Sequence, residues 1–480
     1  MSDSRALLDR ITAFRRRLEA EPVLIPEAIP VDPGAAVPMM TELEAFRQRL
    51  AQFFAAPDVP EGPPIPQLTE RARRLLMTAK RLLDRQRAFT ADPLYAHLAA
   101  EGTDVLVPYH QETVAVLDSA VRLAQSFTDS PTGQLKQCEG FDGLLGVVEE
   151  RLTIQERALA SRRRDATRID QLAAIYHAMA RAAPVTLKAV AALAEELLSE
   201  AREGRPLRFV QTAVDSTTAY PGAACYPAPI RYVAAHAVNA AQVVARLITY
   251  IPEWSARPLL GVVAALLMEC GMAAVPLAVV ARPGGLTPEE RRLVESHAQR
   301  GAELILRHFP EIAPLAASVA AHHERADGSG YPAGLKGTTV PDLGRLLAVA
   351  DVYAALNEDR PYRSARDGRA ALTEVLLQAE HGLLDRDCAA QLVRLSFYPV
   401  GTVVELTDGR VGVVVANHPN PDDARTPGRP VVAVLVAADG TLLPHPEHID
   451  LATADRGAVL RGLPLDRRRE LLGTRYPDLV

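Results

Sequence analysis

The stretch Ala320–Gly337, AAHHERADGSGYPAGLKG, sets two adjacent histidines and a glutamate at the end of an apolar run and follows them with an acidic, glycine-punctuated turn. The preceding residues, APLAASVAAHH, have helical periodicity and bring His322 and His323 to the end of that helix. A lone helical histidine is ordinarily a satisfied core residue. The weight of these two therefore rests on whether other elements supply further ligand-type side chains.

They do. His236 lies in RYVAAHAVNAAQVVARL, on the face that carries Val233, Ala240 and Val244. His297 lies in TPEERRLVESHAQRGAELILRHF, a segment that opens with a capping box, Thr287 to Glu290, and has Pro288 at its first helical position. Leu293, Val294, Gly301 and Leu304 share its apolar stripe with His297. Asp351 sits in GRLLAVADVYAAL, among apolar residues where an unpaired carboxylate is costly. One or two such residues per helix, all facing a common interior, describe a helical bundle. Two physical explanations stay open: a metal site or a hydrogen-bonded polar core. Imidazole and carboxylate donors together suit iron, manganese, zinc or nickel and do not choose among them.

The remainder of the chain sets the frame. Its 480 residues are 48% hydrophobic and 23% charged with a formal net charge of −6, as in ordinary globular proteins and without the basic face a nucleic-acid partner requires. No DNA partner is expected, and the arginine triplets Arg15–Arg17 and Arg162–Arg164 read as solvated helix faces. Cys138, Cys225, Cys270 and Cys388 are far apart with no Cys-x-x-Cys pair, which suits a reducing cytoplasm. The charged N-terminus carries no apolar signal region. Pro258–Ala281, PLLGVVAALLMECGMAAVPLAVVA, is long enough to cross a bilayer. Glu269, Gly271 and Pro276 interrupt it and no aromatic belt flanks it, so it is read as a buried core helix, leaving a cytoplasmic protein with no membrane span.

Segments such as MTELEAFRQRLAQFFAA, ERARRLLMTAKRLLDRQRAF and YHQETVAVLDSAVRLAQSF repeat apolar residues at helical steps between proline-rich connectors. Residues 1–205 thus read as a helical region for sensing, docking or dimerisation, with a homodimer or protein partners engaged through these helices. Residues 206–396 read as the helical bundle. Two Asp-Gly turns within β-branched runs mark a small β module at 397–452, and 453–480 reads as a helical tail. The expected fold is mainly α.

The residues HHERADGSGYPAGLKG, followed by GRLLAVADVYAALNEDRPYR, closely resemble the signature of the HD-GYP domain, and GGLTPEE and SHAQRGAELI extend the similarity over about 208–395. YPVGTVVELTDGRVGVVV looks like the β extension that follows many such domains. The resemblance implies an HD-type bundle and metal-dependent phosphodiester hydrolysis of the bacterial messenger cyclic di-GMP. It further implies one or two divalent ions, iron or manganese, held by His236, His297, His322, His323 and Asp351. Asp327, Gly330, Tyr331 and Pro332 match its loop motif, which in the family borders the substrate pocket, so Tyr331 or Lys336 could contact nucleotide. Arg360 and Arg363 match a family run, with buried anchoring and phosphate contact both open.

One departure is substantial. In the family a His-Asp dyad and a lysine, within an HDIGK-like run, supply a ligand, the bridging carboxylate and a cation. Here the run is LLMECGMAAVP: Met268 stands for the histidine, Glu269 for the aspartate and Met272 for the lysine. A thioether is a poor ligand for iron or manganese, whereas Glu269 keeps a carboxylate one methylene longer and joins Asp351 as the expected catalytic and metal-binding pair. Ala354 stands where the family often has another aspartate. Two readings of different classes follow: a degenerate HD-GYP domain with weak or lost hydrolysis that senses nucleotide or docks protein, and an active phosphodiesterase on cyclic di-GMP or a related nucleotide. A phosphatase on another substrate is a third.

Overall fold

The helix around His236 is apolar on every side rather than on one stripe, and a helix of that kind belongs in the interior. In the computed structural model every residue from Ile230 to Ala245 is buried. The structure describes residues 65–91, part of 114–121, 135–205, 207–210, 228–280, 282, 284–358, 360, 365–366, 368–395, 398, 400–417, 428–454, 457–463 and 471. All of these fall within one unit, Arg47–Val480.

The helices in chain order are α1 (Ile65–Ala91), α2 (Leu135–Ala180), α3 (Leu187–Arg202), α4 (Ala228–Leu247), α5 (Pro258–Leu267), α6 (Pro288–Glu295), α7 (His297–His308), α8 (Pro314–Ala320), α9 (Asp342–Leu356), α10 (Gly368–Glu380) and α11 (Arg386–Gln391). α4 is the central rod, packed by α2, α3, α5 and α9. One apolar core runs from Ile169 in α2 to Leu392 beyond α11, so the last turns of α2 and the whole of α3 share the core of the bundle. The buried Arg231 of α4 makes an ion pair of 2.7 Å with Asp170 of α2, which supplies the partner that a buried guanidinium requires.

Two of the expected helices are broken. Pro258–Ala281 is not one core helix: α5 ends at Leu267, Cys270–Ala274 forms a 3-10 turn, and Leu277–Val280 is a separate single turn. Glu269, at φ −93° and ψ 0°, leaves the helical path, and Gly271 lets α7 approach. A Cβ on Gly271 would lie 2.0 Å from the His297 carbonyl oxygen. The segment around His297 is likewise two helices, α6 and α7, meeting at Ser296. Its expected capping box is present: the Thr287 hydroxyl accepts from Glu290 N at 3.2 Å and Thr287 N donates to the Glu290 carboxylate at 2.8 Å. Among the described residues no helix is long and apolar enough to cross a membrane.

The β module is a five-stranded antiparallel sheet in the order β4-β3-β2-β1-β5, with β1 Val403–Leu406, β2 Val411–Ala416, β3 Val431–Val436, β4 Leu442–Asp450 and β5 Val459–Gly462. The expected Asp-Gly turns join β1 to β2 and β3 to β4, with Gly409 and Gly440 both at φ +86°. β5 falls where a helical tail was expected over 453–480. Residues 459–462 pair with β1 instead, because that strand would otherwise present an open edge. MTELEAFRQRLAQFFAA, most of YHQETVAVLDSAVRLAQSF, Arg15–Arg17, Cys225, Arg363 and nearly all of 464–480 lie outside the described residues.

Candidate metal centre

Each element delivers its donor for a local reason. α4 carries His236 inward, and the break after α5 turns Glu269 inward in turn. His297 is the first residue of α7, and its Nδ1 lies 2.6 Å from the Val294 carbonyl. His322 and His323 lie just past the end of α8, in the turn rather than within the helix as the sequence suggested, and His322 Nδ1 lies 2.6 Å from the Val319 carbonyl. A carbonyl only accepts, so in both rings Nδ1 carries a hydrogen and Nε2 is the atom turned to the cluster.

Those two Nε2 atoms face one another at 3.1 Å. The Glu269 carboxylate stands 3.7 Å from His297 Nε2, 3.6 Å from His322 Nε2 and 4.0 Å from His236 Nε2. His323 Nδ1 lies 3.6 Å from Asp351, and its ring stacks on Tyr331 at 4.7 Å between centroids. Two groups of donors converge: Glu269 with His297, His322 and His323, and Glu269 with His236 and Asp351. Glu269 is common to both. Every metal-binding candidate named from the sequence is therefore brought into one cluster.

His236 is clamped. Its Nε2 lies 2.8 Å from Asp351 and its Nδ1 lies 2.9 Å from Glu358. Burial works against a charged ring here, but the charge of Glu358 and the bonds to Asp351 and Glu358 outweigh it and push His236 up to about 10. Burial depresses His297, and burial with the charge of neighbouring His322 holds His323 well below its ordinary range. Burial opposes protonation of His322 too, yet Glu269 raises it on balance.

Glu358 escaped the sequence reading. It is buried, accepts from Asn239 Nδ2 at 2.7 Å, and lies 3.2 Å from the Arg360 guanidinium. Arg360 Nη2 is also 3.2 Å from His236 Nδ1. That nitrogen's hydrogen serves Glu358, so the carboxylate is the guanidinium's partner. The available signal was the seven-residue step from Asp351, which would return to the same helical face had α9 continued. Glu358 holds the ring of His236 so that Nε2 faces Asp351 and Glu269, the familiar carboxylate partner of a metal-binding histidine.

The donor set fits a divalent cation. Glu269, Asp351 and Glu358 are buried around the Arg360 guanidinium, and their remaining negative charge is balanced either by protons on His236 and His322 or by a metal ion that replaces those protons. Two imidazole nitrogens this close need positive charge between them, either a proton on His322 or a metal ion.

The other candidates sit around this cluster. Asp327 is held in its own turn, accepting from Ser329 N at 2.9 Å and from the Ser329 hydroxyl at 2.7 Å, as its turn chemistry predicts. Gly330 is required by close approach rather than by a positive φ: a Cβ there would lie 2.3 Å from Arg325 N and 2.5 Å from Glu324 Cα. Glu324, buried and unassigned in the sequence, anchors the loop by accepting from Ala333 N at 2.7 Å and Leu335 N at 2.9 Å. Pro332 is exposed, and the exposed Lys336 folds its stem over Gly328. Met268 is fully buried in the apolar core and Met272 packs at its margin, so both present apolar side chains on either side of Glu269 in sequence. Ala354 is core. Cys270 is a buried free thiol, pushed up by burial and by the nearby Glu269 charge.

A family model of the HD domain matches residues 230–388, and one of the KOW domain associated with HD domain matches 403–461. The chain is similar to a cyclic di-GMP phosphodiesterase of Pseudomonas aeruginosa, 39% identical over 32% of this chain and 37% of that protein. It is 41% identical to the cyclic di-GMP phosphodiesterase response regulator RpfG of Xanthomonas campestris over 27% of this chain and 35% of that protein. A 3'3'-cGAMP-specific phosphodiesterase of Vibrio cholerae is 36% identical over 27% of this chain and 28% of its own length. The chain thus spans about a third of the curated relatives it matches. Residues 230–388 match the HD domain, and the relatives that the chain resembles are phosphodiesterases of cyclic di-GMP or 3'3'-cGAMP.

Proposed function

We propose that this chain is a signalling protein whose HD-GYP domain binds a divalent metal, iron or manganese, and recognises cyclic di-GMP or a related nucleotide, with phosphodiester hydrolysis weakened or lost. One observation carries this reading: the donor cluster is assembled, while Met268 and Met272 present apolar side chains where a histidine ligand and a lysine would stand. His297, His322, His323 and Glu269 are the residues to hold one ion, and His236, Asp351 and Glu269 those to hold a second. When bound, a divalent cation supplies charge neutralisation at a phosphodiester and acidifies water. The chain's own residues set the geometry: Glu358 orients His236, the Val294 and Val319 carbonyls orient His297 and His322, and Glu269 with Asp351 supply the carboxylates. Tyr331, beside His323, and Lys336 and Arg360 are the side chains assigned to nucleotide, whereas Asp327, Gly330 and Pro332 hold the loop that presents them. The helices before residue 205 are assigned to protein docking or dimerisation.

A second reading, an active phosphodiesterase, is favoured by the position of Glu269. Its carboxylate lies within 3.6–4.0 Å of three imidazole nitrogens, where a carboxylate shared by two ions would be needed. Incubating cyclic di-GMP with manganese-loaded protein, with binding read by equilibrium dialysis and products by chromatography, separates the two. Metal-dependent binding with turnover that rises on Met268→His, Glu269→Asp and Met272→Lys together fits the proposal. Fast turnover in the unmodified chain that vanishes in His322→Ala replaces it with the second reading. Absence of binding contradicts both.

A further inference from the structure

The helix that ends beside the metal centre begins outside the HD domain. α2 starts at Leu135, and near its C-terminus it makes three polar ties to elements that carry the donors. Asp170 pairs with Arg231 of α4, the helix of His236. His308, at the end of the helix opened by His297, lies 3.1 Å through Nε2 from the Met179 carbonyl. Tyr176 is fully buried, and its hydroxyl donates to the Leu266 carbonyl at 2.5 Å.

The third tie falls at the most constrained point of the site. Leu266 belongs to the last turn of α5, where carbonyls run out of intrahelical partners, and Glu269 follows three residues later. α5 must stop here: continued helix would carry Glu269 along its own path, away from the geometry in which one carboxylate reaches His236, His297 and His322. α2 and α7 both pack against the 3-10 turn that follows, and the α7 side is fixed by the absence of a Cβ on Gly271. The Tyr176 ring lines the same small apolar recess as Met272 and Ala273. Tyr176 therefore satisfies a carbonyl that the broken helix frees, just before the turn that α7 also packs against.

We infer that Tyr176, from outside the matched HD domain, is a positioning residue for Glu269: its hydroxyl fixes the end of α5 and so sets the carboxylate shared by the two donor groups. The inference rests on the metal-binding reading for its consequence and on the hydrogen bond alone for its structural part. Because α2 also pairs with α1 through Arg71 with Glu149 and Arg85 with Glu156, this contact joins the N-terminal helices to the metal centre.

The test uses the full chain and two variants. Tyr176→Phe removes only the hydroxyl. Met179→Ala, one turn along at a fully buried position, loosens the packing of α2 while keeping the Tyr176 hydroxyl. Manganese affinity is measured by titration, and amide exchange over 268–274 is followed in metal-free protein. Tyr176→Phe is expected to weaken manganese binding about tenfold, as loss of an outer partner of a metal site does, and to speed exchange over 268–274 selectively. Met179→Ala is expected to lower the unfolding midpoint with manganese affinity unchanged. Equal loss of affinity in the two variants, or unchanged exchange over 268–274 in Tyr176→Phe, overturns the inference. A wild-type chain that takes up no manganese while Tyr176→Phe still opens 268–274 overturns the metal-binding reading and leaves the hold of Tyr176 on that turn in place.

Discussion

On one side of Glu269 three imidazoles converge, two of them locked by backbone carbonyls at 2.6 Å. On the other side a single imidazole is clamped between two carboxylates at 2.8 and 2.9 Å. The first side holds its donors through backbone geometry at helix ends. The second depends on side chains holding side chains, and it is the side that, by resemblance, has lost a ligand at Met268. The two should respond differently to the same kind of damage.

The largest effect is expected on the imidazole side. His322→Ala should cost at least about a hundredfold in manganese affinity, beyond the range for outer partners, measured by titration of metal-free protein. If His236→Ala costs more than His322→Ala, the ranking of the two sides is wrong. Next comes Gly271→Ala, which places a methyl group against the His297 carbonyl. It should destabilise the chain by about 3 kcal/mol through overpacking, read from urea unfolding, and reduce metal uptake on both sides because Glu269 and His297 shift together.

Glu358→Gln sharpens the contrast. It should weaken the second ion about tenfold while leaving the first unchanged, seen as a split between two steps of a titration curve. A uniform loss would mean that Glu358 supports the whole cluster. The smallest effect belongs to Lys336→Ala at the exposed loop. Stability should stay within about 0.5 kcal/mol and manganese affinity should not change, so any loss of cyclic di-GMP binding would isolate a direct nucleotide contact.

The contrast also marks what the sequence could disclose. His236, His297, His322, His323 and Asp351 stood out because ligand-type residues are conspicuous on apolar helices, and the capping box and both Asp-Gly turns were legible because their chemistry is local. Glu358 was hidden in LNEDRPYR, where burial cannot be told from exposure in a polar stretch just past a helix end. The break at Glu269 was half visible: Gly271 and Pro276 signalled an interruption, but not that the close approach of α7 would use it. Strand β5 carries too short a pattern to outweigh the polar residues around it, and only pairing with β1 defines it. The role of Tyr176 depends on a contact 90 residues away in sequence, to which no local pattern points.

The account stands on the cluster being a metal centre. Its most direct test is thermal and urea unfolding of metal-free chain with added manganese, compared between wild type and His322→Ala, with bound metal counted by elemental analysis. At about a hundred times the dissociation constant, manganese should stabilise the wild type by about 2.7 kcal/mol, with at least one ion bound per chain and no stabilisation of His322→Ala at the same concentration. A wild type that binds no manganese or iron, or that is stabilised no more than His322→Ala, would contradict it.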